Sequence, residues 1–280
     1  MHQGNRPPMA GQNAGFLSKS FEPYRIADDP NADDFRVRGL ETPPELTVSR
    51  MGQRFDLLKS MESSWQGSSR TVEGMTQLKH RAHGLLRSTN SQRAFDLSNE
   101  SVATRELYGR HKFGQTMLLA RRLVEAQVPL ITVNWSKLNA DQWDTHKKNY
   151  PTLREKLLPP FDQGFAAFIE DLHQRGLLDE TLVICLGEFG RTPKINKDAG
   201  RDHWPDCYSV VMSGGDIQRG VILGASDRQA AYPVTDPIAP WDLAATMYHL
   251  LGIEPDLHIY DRLRRPFKLS QGRIVKELLV

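Results

Sequence analysis

The sequence predicts an α/β domain built on a parallel sheet. Two short apolar runs, residues 181–186 and 208–213, have the composition of buried strands. A third run, 128–135, comes earlier, and a helical pattern over 152–174 separates it from the strand at 181. A strand, a helix and a second strand in this order form a right-handed crossover. That crossover is the unit of a doubly wound sheet.

Length and composition are those of a globular protein. The 280 residues allow one or two domains, and 39% of them are hydrophobic. The formal net charge is only +2 and no lysine- or arginine-rich block occurs, so no nucleic-acid partner is expected. No apolar run approaches the ~20 residues of a membrane span, and residues 1–12 lack the pattern of a signal peptide. Cys185 and Cys207 fall in predicted strands, so we expect inert, buried thiols.

The chain divides into two parts. Residues 1–44, rich in Gly, Pro, Asn and Asp, predict an irregular arm that docks on a surface, with a short strand at 35–37. Residues 45–280 predict the α/β domain, with Gly176 as the left-handed stop of its long helix. The other expected elements are helices over 49–64, 71–86, 112–125, 240–251 and 270–279, and a short strand over 221–224.

Three polar clusters follow or separate the predicted strands. They are Asp144 with His146, Glu188 with Arg191, and the run from Arg201 through Asp202 to His203. Open α/β sheets bind ligands at the carboxyl ends of their strands. Carboxylates and imidazoles together suit a divalent ion, and guanidinium groups suit a sulfate or phosphate group. The alternatives are hydrogen bonds within loops for Asp144 and His146 and structural ion pairs for the arginines.

Four runs carry a resemblance to known proteins. Residues 240–253 resemble a segment near the end of sulfatases and related phosphatases. The runs Trp-Asp-Thr-His at 143–146, Gly-Glu-Phe-Gly-Arg-Thr-Pro at 187–193 and Gly-Arg-Asp-His-Trp-Pro at 200–205 resemble one subgroup of that superfamily. This is the uncharacterised sulfatase-like family called domain of unknown function 1501, of the alkaline-phosphatase-like superfamily. The resemblance covers about residues 15–279.

The resemblance implies a fold and a metal site. The fold would be a three-layer α/β/α sheet of alkaline-phosphatase or sulfatase type, incomplete at its N-terminus. Asp144, His146 and His203 look like the ligands of one metal ion, which would be zinc, manganese or calcium. Glu188 stands where the family binds a second ion, but the neighbouring Phe189 cannot be a ligand. We expect Asp144, His146, Glu188 and His203 to converge on one crevice.

The resemblance also implies a function. The expected activity is metal-dependent hydrolysis of small sulfate or phosphate esters, with Arg191 or Arg201 offsetting the developing negative charge. The family's first half, with its nucleophile and export signal, has no counterpart in these residues. We therefore expect the chain alone to bind at most one metal ion, weakly, without turnover. The alternative is a non-catalytic, exported anion-binding or surface protein that retains the fold.

Overall fold

The computed structural model describes residues 13–14, 21–37, 46–63, 93–135, 142–261 and 263–280. The chain forms two compact units, Met1–Ser101 and Val102–Val280. The α-helices with both ends in the described residues are α1 Val48–Ser63, α2 Val102–Leu107, α3 Lys112–Glu125, α4 Asn149–Thr152, α5 Leu158–Gln174 and α6 Pro240–Leu250. The eight strands there are β1 Val183–Cys185, β2 Gly190–Arg191, β3 His203–Trp204, β4 Val211–Ser213, β5 Ala225–Ser226, β6 Pro233–Thr235, β7 His258–Tyr260 and β8 Pro266–Lys268.

The first unit contains α1, which confirms the helix predicted over 49–64. A single 3₁₀ turn, Leu97–Asn99, follows later, and its N-cap Asp96 accepts a hydrogen bond from the Ser98 amide. Residues 35–37 form no strand, so that prediction is wrong. The helix predicted over 71–86 lies outside the described residues.

Helices α3 and α5 of the second unit pack closely against each other. The predicted helix over 112–125 is confirmed, and the helix predicted over 152–174 runs through a π-helical turn, Leu153–Leu157, into α5. A methyl group added at Gly164 would lie 3.1 Å from the Gly114 Cα atom, so the two helices touch through their glycines. Apolar side chains from both helices are buried at this contact: Phe113, Met117, Leu118, Ala167, Phe168 and Leu172.

A buried charged network adds to this helical core. Arg121 of α3 is 1% exposed, and its Nε atom lies 3.0 Å from Asp171 Oδ2 on α5. The hydroxyl of Tyr108, also fully buried, donates a hydrogen bond of 2.8 Å to the same oxygen. Burial, and then the hydrogen bond to Asp171, raises the pKa of Tyr108 well above its ordinary value.

The strand pairing differs from the sequence prediction. Strands β1 and β4 lie within the runs at 181–186 and 208–213, but they pair antiparallel, with Ile184 opposite Met212. The four two-stranded sheets of the described residues are all antiparallel, so the parallel crossover is wrong. Composition predicts an extended buried segment, whereas strand direction depends on the connection. Here the chain passes through the β2–β3 ribbon after β1. It then returns as β4, which pairs antiparallel with β1. The third predicted strand, 128–135, forms no strand, so that prediction is also wrong.

The C-terminal region has a helix, two hairpins and an irregular end. Helix α6 confirms the prediction, and Gly252 has the positive φ of a helix stop. The expected strand at 221–224 is displaced to β5, which pairs with β6. The prediction of a helix over 270–279 is wrong. The Ser270 hydroxyl donates a hydrogen bond to the Trp241 carbonyl, and the Val275 amide donates one to Thr246 Oγ1. These hydrogen bonds attach the C-terminal segment to α6. The helical structure within 270–279 is a single 3₁₀ turn, Lys276–Leu278.

The described chain is therefore a mixed α/β fold with small antiparallel sheets. Cys185 and Cys207 are half-buried rather than buried, and partial burial raises the pKa of the Cys185 thiol. None of its described helices combines the length and apolar character needed to cross a membrane.

Candidate metal centre

Three side chains from two segments that are distant in the sequence converge in the second unit: Asp144, His146 and His203. Asp144 Oδ1 lies 3.0 Å from His146 Nε2 and 3.0 Å from His203 Nε2. The two imidazole nitrogens are 3.2 Å apart. In the part of the chain that the structure describes, this is the group of acidic, histidine or cysteine side chains able to share a metal ion. We call it the ligand triangle.

The loop that carries Asp144 and His146 is anchored on both sides. The Trp143 ring makes edge contacts with Trp135, at 5.4 Å between ring centroids, and with Phe161 of α5, at 5.7 Å. Thr145 is buried, and its hydroxyl is hydrogen-bonded to the Asn149 side chain. Since the residues before and between the two ligands point into the protein, Asp144 and His146 project together toward solvent.

His203 is placed by a short ribbon. Strands β2 and β3 pair antiparallel, with Gly190 opposite Trp204 and Arg191 opposite His203. Gly190 is required there, because an added methyl group would overlap the Cys207 carbonyl. The ribbon thus brings a cation and a candidate ligand side by side.

A tight loop over 196–202 joins the ribbon to the Asp144 loop. The Asn196 side-chain oxygen accepts hydrogen bonds from the amides of Asp198 and Gly200, at 3.0 and 2.9 Å. Its Nδ2 donates to the His146 carbonyl at 3.0 Å and to Asp202 Oδ1 at 3.1 Å. Gly200 packs directly against the His146 backbone, where any side chain would overlap the carbonyl. The two loops therefore act as one rigid support.

Charges around the triangle favour an ionised Asp144. Partial burial by itself raises the pKa of Asp144, but the hydrogen bonds from Arg191 and His203 outweigh it and lower the pKa below its ordinary value. The Arg191 guanidinium is hydrogen-bonded to Asp144 Oδ1, and its centre lies 5.4 Å from the Phe189 ring centroid. The ring centroids of Phe189 and His203 are 4.5 Å apart, so the Phe189 ring covers one side of the triangle.

Asp202 supports His146 from the outside. Its Oδ1 atom lies 2.7 Å from His146 Nδ1, on the side of the ring away from the triangle. The hydrogen bonds from His146 and Asn196 lower the pKa of Asp202. The carboxylate therefore remains an acceptor at neutral pH.

The triangle has the dimensions of a metal site. Ligands 2.0–2.1 Å from a tetrahedral zinc ion lie about 3.3 Å from one another, so edges of 3.0 to 3.2 Å need only a small outward shift. Side-chain exposures of 38% for Asp144, 43% for His146 and 50% for His203 leave an open face. Two histidines and one carboxylate are a zinc or manganese donor set. Calcium prefers six to eight oxygen ligands, so the two imidazoles disfavour it.

Comparison with known proteins identifies the family. The sequence matches the family described as "Protein of unknown function (DUF1501)" over residues 1–279. The chain belongs to this DUF1501 family. No curated protein and no solved structure matches it.

The remaining predicted site residues of this DUF1501 protein lie apart from the triangle. Arg201 donates from Nη1 to the carbonyls of Thr192, at 2.5 Å, and Pro193, at 3.0 Å, so it braces the loop after β2. Glu188 is exposed and is not a member of the ligand group found among the described residues. The side chains of His146, His203 and Arg191 thus all contact Asp144. Glu188 and Arg201 do not take part in this cluster, so the predicted convergence of Glu188 with the other three ligands is wrong.

The roles of Asn196 and Asp202 in the DUF1501 site were not predicted from the sequence. Asp202 was visible as a neighbour of His203, but nothing in the sequence places it against His146, which is 56 residues away. Asn196 carried a weak signal. Asn side chains commonly accept a hydrogen bond from the backbone amide two residues on, as Asn196 does from Asp198, and Ala199 has a positive φ of 56°.

Proposed function

We propose that this DUF1501 protein binds a zinc or manganese ion through Asp144, His146 and His203 and uses it to hydrolyse sulfate or phosphate esters. The observation that supports the proposal most is the ligand triangle, in which three potential donors lie within 3.2 Å of one another and remain open to solvent. The fold we propose is the three-layer sheet of the alkaline-phosphatase-like superfamily. The substrate would be a small anionic ester.

The chain's own residues have distinct tasks in this proposal. A bound divalent ion would supply a Lewis acid that polarises an ester oxygen. Arg191 adds a fixed positive charge beside the triangle, and its planar fork suits the oxygens of a sulfate or phosphate group. Phe189 shields the guanidinium and the His203 ring from one side, which strengthens electrostatic contacts on the open side.

A second candidate is a binding protein that holds metal and anion without turnover. It is favoured by two hydroxyl groups beside the triangle in the described residues, those of Thr145 and Thr192, which are hydrogen-bonded within the scaffold. The Thr145 hydroxyl is buried against Asn149. The Thr192 hydroxyl donates to the Lys194 carbonyl at 2.9 Å and accepts from the Asp202 amide at 3.1 Å. Neither is free to attack an ester.

The test measures binding and turnover together. The chain is loaded with zinc or manganese and titrated with 4-nitrophenyl phosphate and 4-nitrophenyl sulfate, with nitrophenol release followed in the same samples. We expect metal-dependent binding of one ester class that is lost in His203→Ala and retained in His258→Ala, whose histidine lies in β7. Release of nitrophenol with the same dependence favours the hydrolase and contradicts the expectation that the chain alone shows no turnover. Binding without release agrees with that expectation and favours the second candidate. If neither ester binds the metal-loaded chain, both functions are excluded.

A further inference from the structure

Asp202 lies outside the ligand triangle but contacts one of its members. Its Oδ1 atom is 2.7 Å from His146 Nδ1, while the opposite ring nitrogen, Nε2, points at Asp144 and His203. We propose that Asp202 is a positioning residue that fixes His146 as a metal ligand. This inference rests on the metal-dependent function proposed above and adds a residue that does not itself touch the metal or the substrate.

The hydrogen bond determines the tautomer of His146. An ionised carboxylate can only accept a hydrogen bond, and an aspartate is ordinarily ionised at neutral pH. The proton shared with Asp202 therefore belongs to His146 Nδ1. A neutral imidazole protonated at Nδ1 has its free electron pair at Nε2. That pair faces the triangle, with Asp144 Oδ1 at 3.0 Å and His203 Nε2 at 3.2 Å.

Asn196 makes the orientation rigid. Its Nδ2 group donates both to Asp202 Oδ1, at 3.1 Å, and to the backbone carbonyl of His146, at 3.0 Å. Its oxygen is held in turn by the amides of Asp198 and Gly200. The carboxylate is therefore fixed relative to the backbone of the residue that it orients. Outer carboxylates of this kind fix the ring and raise its basicity, and their loss commonly weakens metal binding.

The experiment compares Asp202→Asn and Asp202→Ala with a matched control. Asp198→Ala removes an equal charge from the same loop, where Asp198 is exposed and joins the Asn196 hydrogen bonds through its backbone amide alone. Zinc affinity is measured by competition with a chromophoric chelator. The proton position on His146 is measured without metal by ¹⁵N–¹H correlation spectra of the imidazoles, assigned with His146→Gln. Circular dichroism checks folding.

We expect the wild type to bind zinc most tightly, Asp202→Asn less tightly because it keeps an acceptor without the charge, and Asp202→Ala about 10- to 100-fold more weakly. Asp198→Ala should stay within about twofold of the wild type, since screened surface charges act weakly. The His146 proton should lie on Nδ1 in the wild type and shift toward Nε2 in Asp202→Ala.

The outcomes separate this inference from the proposed function. A wild type that binds zinc with an affinity unchanged in both Asp202 variants, or equally weakened in Asp198→Ala, overturns the positioning role and leaves the metal site standing. A wild type that binds no zinc overturns both. Should Asp202→Ala fail to fold, the zinc affinity of Asp202→Asn and the wild-type spectrum still test the positioning role of Asp202. A His146 proton on Nε2 in the wild type contradicts that role.

Discussion

Arg191 and His203 are opposite partners across the β2–β3 ribbon, and both side chains contact the same oxygen, Asp144 Oδ1. A cation and a candidate metal ligand therefore share one carboxylate. The guanidinium helps to lower the pKa of that carboxyl group, which favours the ionised form that a divalent ion would require. This arrangement makes Arg191 the stronger anion-binding candidate of the two arginines.

Replacing Arg191 by Lys should weaken anion binding with little effect on folding. The substitution keeps the charge but loses the planar two-pronged contact. We expect sulfate or phosphate to bind the metal-loaded variant about tenfold more weakly, the equivalent of one charge-assisted hydrogen bond. Isothermal titration measures this, with Arg219→Lys as control because Arg219 is largely exposed and pairs with Asp179. Equal affinities for wild type and Arg191→Lys would leave Arg191 as a structural partner of Asp144.

Replacing Arg201 by Lys should instead lower stability. The Arg201 guanidinium holds the carbonyls of Thr192 and Pro193 and reaches the Tyr150 hydroxyl at 3.3 Å. A lysine ammonium cannot reproduce that spread of donors, so we expect the free energy of unfolding to fall by about 1 kcal/mol. Urea unfolding monitored by circular dichroism gives the value. Unchanged stability with weakened sulfate binding would make Arg201 an anion ligand.

Gly200→Ala should disrupt the contact between the two site loops. An added methyl group overlaps the His146 carbonyl, so the loops must separate. Overpacking of this kind costs about 1–3 kcal/mol, and the displaced His146 should also weaken zinc binding. Gly187→Ala is the control, because its methyl group would make only an ordinary 3.4 Å contact. A Gly200→Ala variant with the zinc affinity and unfolding free energy of the wild type would show that the close contact of the two loops is not required.

Tyr108 should make stability fall at high pH. Its pKa is raised in the folded state by burial and by the hydrogen bond to Asp171, from an ordinary value of 10.0. A raised folded pKa stabilises the protein fully below the unfolded pKa and progressively less above it. The difference in unfolding free energy between wild type and Tyr108→Phe should therefore be constant from pH 8 to about 9 and shrink above about 10. Urea unfolding across that range measures it, and a pH-independent difference would contradict the assignment.

Helices were the most predictable part of the fold. Apolar residues such as Phe113 and Met117 recur at helical spacing, and that spacing is a local property of the sequence. The strands at 181–186 and 208–213 were located for a similar reason. Their antiparallel pairing was not predictable, because it depends on the return path through the β2–β3 ribbon. The prediction of a C-terminal helix was wrong because hydrogen bonds to α6 outweigh the local helix propensity of residues 270–279.

The candidate site was predictable to the extent that motifs mark it. Asp144, His146 and His203 were identified from their loops and from the family resemblance, and the structure brings them together. Their scaffold was not predictable. The contacts of Asn196 and Gly200 with His146 join segments about 50 residues apart, and no local pattern encodes such a distance.

Zinc binding tests most directly whether Asp144, His146 and His203 form a metal site. The purified chain is stripped of metal by chelation, dialysed and titrated with zinc in competition with a chromophoric chelator. We expect one zinc ion per chain for the wild type and for His258→Ala, and a loss of more than about a hundredfold in affinity for Asp144→Ala and His203→Ala, since losing a ligand should exceed the effect of losing its support. Folding of each variant is checked by circular dichroism. Equal zinc binding by the wild type and the correctly folded Asp144→Ala and His203→Ala variants would contradict a metal site formed by these residues.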